Sequence, residues 1–586
     1  MKLESLMLEN FRNFEVANIS LTNQNVVFGM NDVGKTNFMY AIRFLLDREV
    51  RKNGFKESDY YKNDTTRKIK ITLGVNIEDR ENNEDSLHII AKVGGARSIN
   101  NGDPNRFYFQ LQGTFDQSEA VGNPKIYWGN NLDELEELVQ TGIFSPLDKL
   151  FKIIYVDPTI DLDVTFSKNK KHFFDQSKLD EADVKISKEI KQLSLDLNEK
   201  IGTLGIIQTF QENLTSEYKR LKKEKISIEM KSEISINGYF GNLVPYLKRE
   251  NDDNVYPTAG DGRKKILAYS ILNYILKEQA GNQIIIHLIE EPENSLHRSM
   301  QIALSKQLFG SGVYSYFFLT THSSELLYEM DNAALIRIFS KEKINCESYV
   351  YCVEEEYKEI KKELNKSLAT ALFAEKVLLV EGPSEKVLFE KILDEVSPTY
   401  ELEGGYLLDV GGINFEPYIK VLKALDIQPI IKTDNDLKAK RGQPTNFDLI
   451  GLNRCLAVMG HPKKDSEVIE YIIKEDSGKE IINETLKKKL LKEKKLELFE
   501  RYEEDISILR ENNIFMSRID LEHDLYESIG GKMTVILGKD PIKYLQSQKL
   551  INMIELAKGL NKNDCISIIS HPNFTALKKL VENNAG

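Results

Sequence analysis

Three stretches in the second half of the chain set acidic residues just past an apolar run. KVLLVEGPSE, residues 376–385, carries Glu381 and Glu385; QPIIKTDND carries Asp434 and Asp436; NIFMSRIDLEHDLYESI carries Asp520 and Glu522. A carboxylate delivered to a crevice calls for a cation, and carboxylates without a cysteine or histidine cluster favour hard ions, magnesium or manganese. Singly, each stretch reads as well as a helix cap or an ordinary turn; in this order they read as one metal site. The first half carries a different chemistry in GMNDVGKT, residues 29–36. Backbone amides at Gly29, Asn31, Gly34 and the helix start at Asn37 would cradle phosphates. Lys35 would reach the outer ones, and the Thr36 hydroxyl would hold magnesium.

The elements that must position these residues follow from the hydrophobic pattern. Residues 377–380 and 429–431 are short, wholly apolar runs, the mark of buried parallel strands whose carboxyl edge lines a crevice. After the turn at Gly382 and Pro383, Val387, Leu388 and Ile392 recur at helical spacing, which puts Glu385 in a first helical turn beside Glu381. Alternation past the second strand points Asp434 and Asp436 the same way, and the same spacing turns Asp520 and Glu522, after residues 514–516, toward one crevice. Residues 406–410 add a strand, followed by Gly411 and Gly412 where a bulky side chain would crowd a ligand.

In the first half, strands at 3–8 and 25–28 lead into the glycine loop and an apolar helix follows, which is the setting that loop requires. Residues 284–289 form a further buried strand running into EEPENSLH. Glu290 falls where a magnesium-orienting carboxylate belongs, and Glu291 where a base for an attacking water belongs. His322, at another strand end, lies near the place of a terminal phosphate. Gly260 and Gly262 open a long amphipathic helix and offer amides to an anion.

With 586 residues the chain is too long for one core, and length suggests about three or four domains. Hydrophobic residues at 41% and charged residues at 29% are ordinary globular values. No apolar run approaches the ~18 residues of a membrane span and no signal peptide opens the chain, so the expectation is a cytoplasmic protein with no membrane partner. Four cysteines without paired spacing read as buried thiols. A net charge of -12 argues against indiscriminate coating of nucleic acid, while leaving room for local basic stripes. Between residues 168 and 231, Ile186, Ile190, Leu193, Leu197 and Ile201 keep a heptad-like rhythm, which predicts a helical hairpin whose stripe is either a dimer seam, the favoured reading, or a face packed on the rest of the fold. Residues 81–119 read as hairpins and loops. The charged run at 487–505 reads as a helix that is either solvated or DNA-contacting.

The glycine loop, the EEPEN strand and the glycine-opened helix resemble the ABC-type ATP-binding heads of the RecF, structural-maintenance-of-chromosomes (SMC) and OLD families. Two departures stand out: Glu290 replaces the usual aspartate, one methylene shorter, and Ala259 replaces a signature serine, with Thr258 as its neighbour. EGPSE, then VGG, then TDND follows the order of the Toprim fold of topoisomerases, primases and OLD-family nucleases. The whole therefore resembles an OLD-family ATPase and Toprim nuclease, and within it the endonuclease subunits of the Gabija anti-phage systems.

The fold implied is α/β: an ATPase head (1–167 and 241–366) interrupted by a helical, dimerising insertion (168–240), then a Toprim domain with a helical C-terminal extension (367–586). By resemblance Glu381 is the first-motif glutamate, Asp434 and Asp436 are the paired aspartates, and Asp520 and Lys549 belong to the nuclease site. One cation on Glu381, Asp434 and Asp436 and a second on Glu385, Asp520 and Glu522 would give two-metal phosphodiester cleavage, with Lys549 neutralising developing charge. The expectation is a DNA endonuclease controlled by ATP and magnesium in the head. Its expected partners are double-stranded phage DNA, a UvrD-like helicase, and copies of itself in a dimer or tetramer. The alternative is a RecF-like ATP-dependent clamp whose Toprim domain docks DNA without cutting it.

Overall fold

The computed structural model describes residues 1–29, 34–93, 102–138, 145–159, 161–173, 180–221, 226–229, 243, 245–248, 255–257, 260–278, 283–310, 312, 314–340, 343–412, 414–474, 480–482 and 484–582. Contacts divide the chain into two compact units, one of Met1–Asp157, Gly281–Glu293 and His297–Gly586, the other of Pro158–Ala280 and Asn294–Leu296.

The first unit begins with strands β1 (Lys2–Phe11), β2 (Phe14–Ser20) and β3 (Gln24–Phe28), then helix α1 (Lys35–Leu46). Strands β4 (Ile69–Asn76), β5 (Arg106–Asp116), β6 (Val121–Gly129) and β7 (Glu136–Glu137) complete an antiparallel sheet of order β2-β1-β4-β5-β6-β7. The stretch expected to be hairpins and loops thus supplies β5, and also a helix at Glu84–Val93 that buries Ile89 and Val93. β8 (Phe151–Val156) belongs to the second sheet.

The second unit contains the predicted hairpin as α2 (Glu181–Gly202) and α3 (Gly205–Leu221). Asp180 caps α2, its carboxylate accepting from the Asp183 amide at 2.8 Å. Within this unit Ile186, Leu193 and Leu197 of the heptad stripe are exposed, and Ile190 and Ile201 half-buried. Helix α4 (Asp261–Glu278) follows.

Back in the first unit, β9 (Ile284–Glu290), β10 (Phe317–Thr320), β11 (Ala333–Ser340) and β12 (Ile344–Tyr351) complete a sheet of order β12-β11-β3-β10-β9-β8. All of its pairs are parallel except β11 with β12. The inner strands β10 and β11 are buried along nearly their whole length, as the inner strands of a sheet covered on both faces are.

Helix α5 (Lys361–Ala371) leads to β13 (Lys376–Val380), α6 (Pro383–Val396), β14 (Gly405–Asp409), α7 (Glu416–Ala424) and β15 (Gln428–Thr433). A small sheet of β16 (Leu437–Lys440), β17 (Gln443–Leu449) and β18 (Glu467–Val468) brackets α8 (Ile450–Val458). Then come α9 (Glu484–Arg501), β19 (Ile514–Met516), α10 (Leu521–Leu537), α11 (Pro541–Ser547), α12 (Lys549–Gly559), α13 (Lys562–Ser570) and α14 (Thr575–Val581). The main sheet here, β14-β13-β15-β19, is parallel throughout.

Every residue of β13 is buried, and the pleat sorts the side chains. Val377 and Leu379 join a core with Leu368 and Leu422 and also with Val26 and Leu335 of the nucleotide-loop sheet. Leu378 and Val380 pack with Leu388 of α6, Leu525 of α10 and Leu577 of α14. One core therefore runs continuously under both functional halves of the unit. Among the cysteines, Cys455 and Cys565 are buried as expected, whereas Cys346 is half-buried and Cys352 exposed; all four are free. Among the described residues no helix is long and apolar enough to cross a membrane.

Candidate active site

Parallel pairing aligns the carboxyl ends of β13, β15 and β19, with Leu379 beside Ile431 and Thr433 beside Met516. Glu381 and Asp434 leave the sheet one residue past their strands, and Asp520 follows four residues past the third. Glu381 Oε1 accepts from the Asp434 amide at 3.1 Å and from the Thr433 hydroxyl, and it pairs with Arg454 Nη1 at 2.8 Å. Glu385 does lie beside Glu381: Pro383 starts α6, and the Glu385 Oε2 reaches back to the amides of Glu381 at 2.6 Å and Gly382 at 3.4 Å. That is the carboxylate half of a capping box, and it leaves Glu385 buried with its pKa raised, first by burial and then by the Glu381 charge.

Asp434 is buried and accepts from the Leu521 amide at 2.9 Å, which ties β15 to the start of α10. Burial, then the charges of Glu385, Glu381, Asp436 and Glu522, push its carboxyl well above the usual range. β15 ends at Thr433; two residues past Asp434, Asp436 is half-exposed, meets Lys495 Nζ of α9 at 3.4 Å, and its charge is felt by the Asp434 carboxyl.

The period-two reading of Asp520 and Glu522 also gives way to a different local structure. Asp520 caps α10, accepting from the His523 amide at 3.0 Å and its ring Nδ1 at 2.5 Å, while Gln546 Nε2 donates to its other oxygen at 3.0 Å. Burial pushes the Asp520 carboxyl up, but the hydrogen bond and charge of His523 outweigh it and leave the pKa lowered. Glu522 lies inside the helix, buried, its pKa raised by burial, with the Lys549 ammonium 3.7 Å away opposing. Lys549, at the start of α12, senses Glu522, Asp434, Asp436 and Asp520 in turn. All seven residues singled out in the sequence thus meet at one edge of one sheet.

Among the described residues no three of these acids already form a ligand shell; Arg454, Lys495 and Lys549 balance their charge instead. The chemistry nonetheless fits a hard divalent cation. Every donor is a carboxylate oxygen, and Glu522 Oε2 is buried with no hydrogen-bond partner, which is costly by about 1–3 kcal/mol unless a cation or proton meets it. Gly411 and Gly412 take φ values of 59° and 79°, which β-carbons disfavour, and a Cβ at either would meet no protein atom within 4 Å.

In the nucleotide loop, Asn31 lies outside the described residues. Gly34 opens α1 at φ 110°, a conformation strained for any residue with a Cβ, and a Cβ there would also force the Asn13 side chain, 1.9 Å away, to move. Lys35 is buried and donates to the Gly29 carbonyl at 2.9 Å, while Thr36 is exposed. The Asn37 side chain accepts from Arg12 at 2.9 Å and donates to Asn13, which lies against Gly34, at 3.1 Å.

Glu290 ends β9 with a buried Oε1 lacking a hydrogen-bond partner, its pKa raised by burial against a Tyr155 hydrogen bond. Glu291, at φ 41°, stands 3.6 Å from His322 Nε2. Burial, then the Lys35 charge, lowers the His322 pKa, so Lys35, Glu291 and His322 share one neighbourhood. Gly260 and Gly262 open α4 in the other unit. Gly260 takes φ 93°, and a Cβ at Gly262 would approach the Ser295 carbonyl to 2.9 Å. Ala259 and Thr258 are outside the described residues.

A family model described as the TOPRIM domain of overcoming lysogenization defect protein-like proteins matches residues 372–436, and an AAA ATPase domain model matches residues 1–327. Endonuclease GajA of Bacillus cereus (strain VD045) is 51% identical over 588 residues, covering 100% of both chains. The chain belongs to the GajA endonuclease family. A GajA from Bacillus cereus (strain HuB5-5) is 20% identical over 270 residues, covering 39% of this chain and 38% of that protein. The SMC head domain from Thermotoga maritima superposes with a TM-score of 0.31 at 11% identity, covering 60% of this chain and 100% of that one. The expected order, an ATPase head followed by a Toprim domain, is thus that of a GajA-family chain.

Within this GajA-family site, several residues escaped the sequence reading. Arg454 comes from a helix with no motif of its own, and Lys495 from the charged run at 487–505, whose contact with the acids was not read. Lys432, which in sequence is only part of a strand, forms a buried ion pair with Asp524 at 2.6 Å and donates to the Asn573 carbonyl at 3.1 Å, fastening α10 and the C-terminal extension to β15. Glu293 accepts from Thr321 Oγ1 at 3.0 Å and the His322 amide at 2.6 Å. Its position as the third acid of EEPEN was the one available signal.

Proposed function

We propose that the chain is a metal-dependent DNA endonuclease, with its nuclease site at Glu381, Asp434, Asp436, Asp520, Glu522 and Lys549, under the control of nucleotide bound in the head. The observation that carries this is the meeting of six acids and a lysine, drawn from positions as far apart as 381 and 549, at the carboxyl edge of one parallel sheet. Glu381, Asp434, Asp436 and Glu522 would hold magnesium or manganese, with Asp520 beside them. Bound there, such an ion supplies Lewis-acid polarisation of a phosphodiester and an activated water.

The chain's own residues do the rest. The amides of Asp434 and Leu521 and the Thr433 hydroxyl fix Glu381 and Asp434 in place, so little reorganisation is needed when substrate arrives. Glu385 holds the turn that aims Glu381. Lys549 offers a cation to charge that develops on the leaving oxygen. In the head, Gly29, Gly34, Lys35 and Thr36 would bind the phosphates of ATP and its magnesium, with Glu290, Glu291 and His322 near the terminal one.

By resemblance the target is double-stranded phage DNA, the partner a UvrD-like helicase, and the compartment the cytoplasm. The exposed stripe of α2 supports a homo-oligomer, and the division at 167, 240 and 366 remains the working map of domains. Glu381→Ala is the direct test: nicking of plasmid DNA with magnesium or manganese should fall to background while the oligomeric state is unchanged. Undiminished nicking by that variant would refute the assignment.

A further inference from the structure

Beside Glu381 opens a cavity of about 650 Å³, walled by the loop that follows β14, by β16 and β17, and by α8 and the loop that follows it. Four cations line it, Lys440, Arg454, Lys463 and Lys464, against three acids, Glu381, Asp448 and Asp465. Among the described residues no aromatic side chain lines it, so it has no platform on which a base would stack. Backbone-sized, cation-lined and open at the metal-binding acids, it suits a phosphodiester rather than a nucleobase.

The cations are not equivalent. Lys464 is committed to the fold: its ammonium stands 2.7 Å from Asp505 and 5.0 Å from the Tyr502 ring centroid. Lys440 has only an exposed pairing with Asp448 at 3.5 Å, a type of contact worth little to the fold. Lys463 is exposed and makes no ion pair among the described residues. Arg454 is half-buried, spending its guanidinium on Glu381 Oε1 at 2.8 Å and Thr433 Oγ1 at 3.4 Å. That carboxylate cannot serve a cation fully while it serves Arg454, whereas a guanidinium matches a phosphate through two parallel hydrogen bonds.

We propose that this cavity seats the phosphodiester backbone of one DNA strand, gripped by Lys440 and Lys463 at the rim and by Arg454 at the floor. Arg454 turns from Glu381 to the phosphate when a divalent cation takes up Glu381. The inference rests on the endonuclease reading and adds the strand's path to it. Both rim lysines are outside the core, so replacing them leaves folding intact, which thermal melting of the full chain checks.

The test measures binding of a fluorescent duplex to the full-length protein across a salt series, with calcium in place of magnesium, alongside plasmid nicking with magnesium. Removing one phosphate-binding cation should flatten the slope of log affinity against log salt by about 0.9. Lys440→Ala/Lys463→Ala should therefore bind more weakly with a slope flatter by about 2, and raise KM for nicking more than it lowers kcat. Arg454→Lys should recover binding that Arg454→Ala loses, while leaving nicking impaired. Affinity and salt slope equal to the unaltered protein in the double variant would overturn the proposal. Glu381→Ala separates the two claims, since it should bind the duplex and fail to nick it: nicking by that variant sinks the endonuclease reading, and normal binding by the lysine variant sinks this one.

Discussion

At the scale of single residues, buried polar groups decide how the protein responds to its medium. His287 sits in the middle of β9, its Nδ1 bonded to the Tyr316 carbonyl at 3.2 Å and its Nε2 buried with no partner. Burial lowers its pKa from 6.5 to about 4, against the hydrogen bond to Tyr316. The unfolded chain therefore takes up this proton near pH 6.5, while the folded chain waits until about 4. Between those values the unfolded state binds more protons, so stability falls as pH is lowered through that window, by something on the order of 3 kcal/mol in full. Denaturant unfolding of His287→Phe should show a flatter dependence between pH 6.5 and 4 than the unaltered protein; equal slopes would mean that another group carries the acid sensitivity.

At the scale of elements, what could be read from the sequence divides along a physical line. The strands under Glu381 and Asp434 were legible because a parallel sheet covered on both faces needs continuous apolar runs, and Glu385 because its helix starts immediately after a Gly-Pro turn. Alternation gave way for the Asp520–Glu522 pair because the chain enters a helix at Asp520. Arg454 and Lys495 were beyond reach: α8 and α9 meet the acids only through tertiary packing, which no local period encodes. The Asp520 case yields a prediction, since this residue is a helix cap and is proposed as a site acid. Asparagine caps a helix as well as aspartate does, whereas alanine loses about 1 kcal/mol. Asp520→Asn should therefore melt close to the unaltered protein and still lose about tenfold or more of its plasmid nicking. Asp520→Ala should lose both. Full nicking by the asparagine variant would reduce Asp520 to a cap.

At the scale of the whole first unit, the question is how nucleotide in the head is felt at the acids, and the shared core supplies a route. Phe373, in the link between α5 and β13, meets Phe28 edge-on at 6.0 Å, one residue before Gly29, and stacks on the His322 ring at 5.7 Å. Three residues after Phe373 starts β13, whose last residue, Val380, precedes Glu381. Arg337 of β11, buried, donates to the Ala374 carbonyl at 3.1 Å and to the carbonyls of Leu425 at 3.0 Å and Asp426 at 2.7 Å. It thus clamps the entrances of both β13 and β15 to the head sheet. We predict that Phe373, packed directly on Phe28 and His322, couples the head to the acids, with Arg337 bonded to the entrances of both acid-bearing strands. Packed cores shift between discrete arrangements rather than deforming smoothly, and couplings between sites are typically about 1–3 kcal/mol. Phe373→Ala removes the ring that touches both nucleotide-site elements and leaves both sets of functional groups in place. The ratio of nicking rates with and without ATP should therefore move toward one in this variant, whichever direction ATP acts, while ATP affinity stays within about threefold of normal. A ratio unchanged by the substitution, in a protein that still melts cooperatively, would place the coupling outside this aromatic contact.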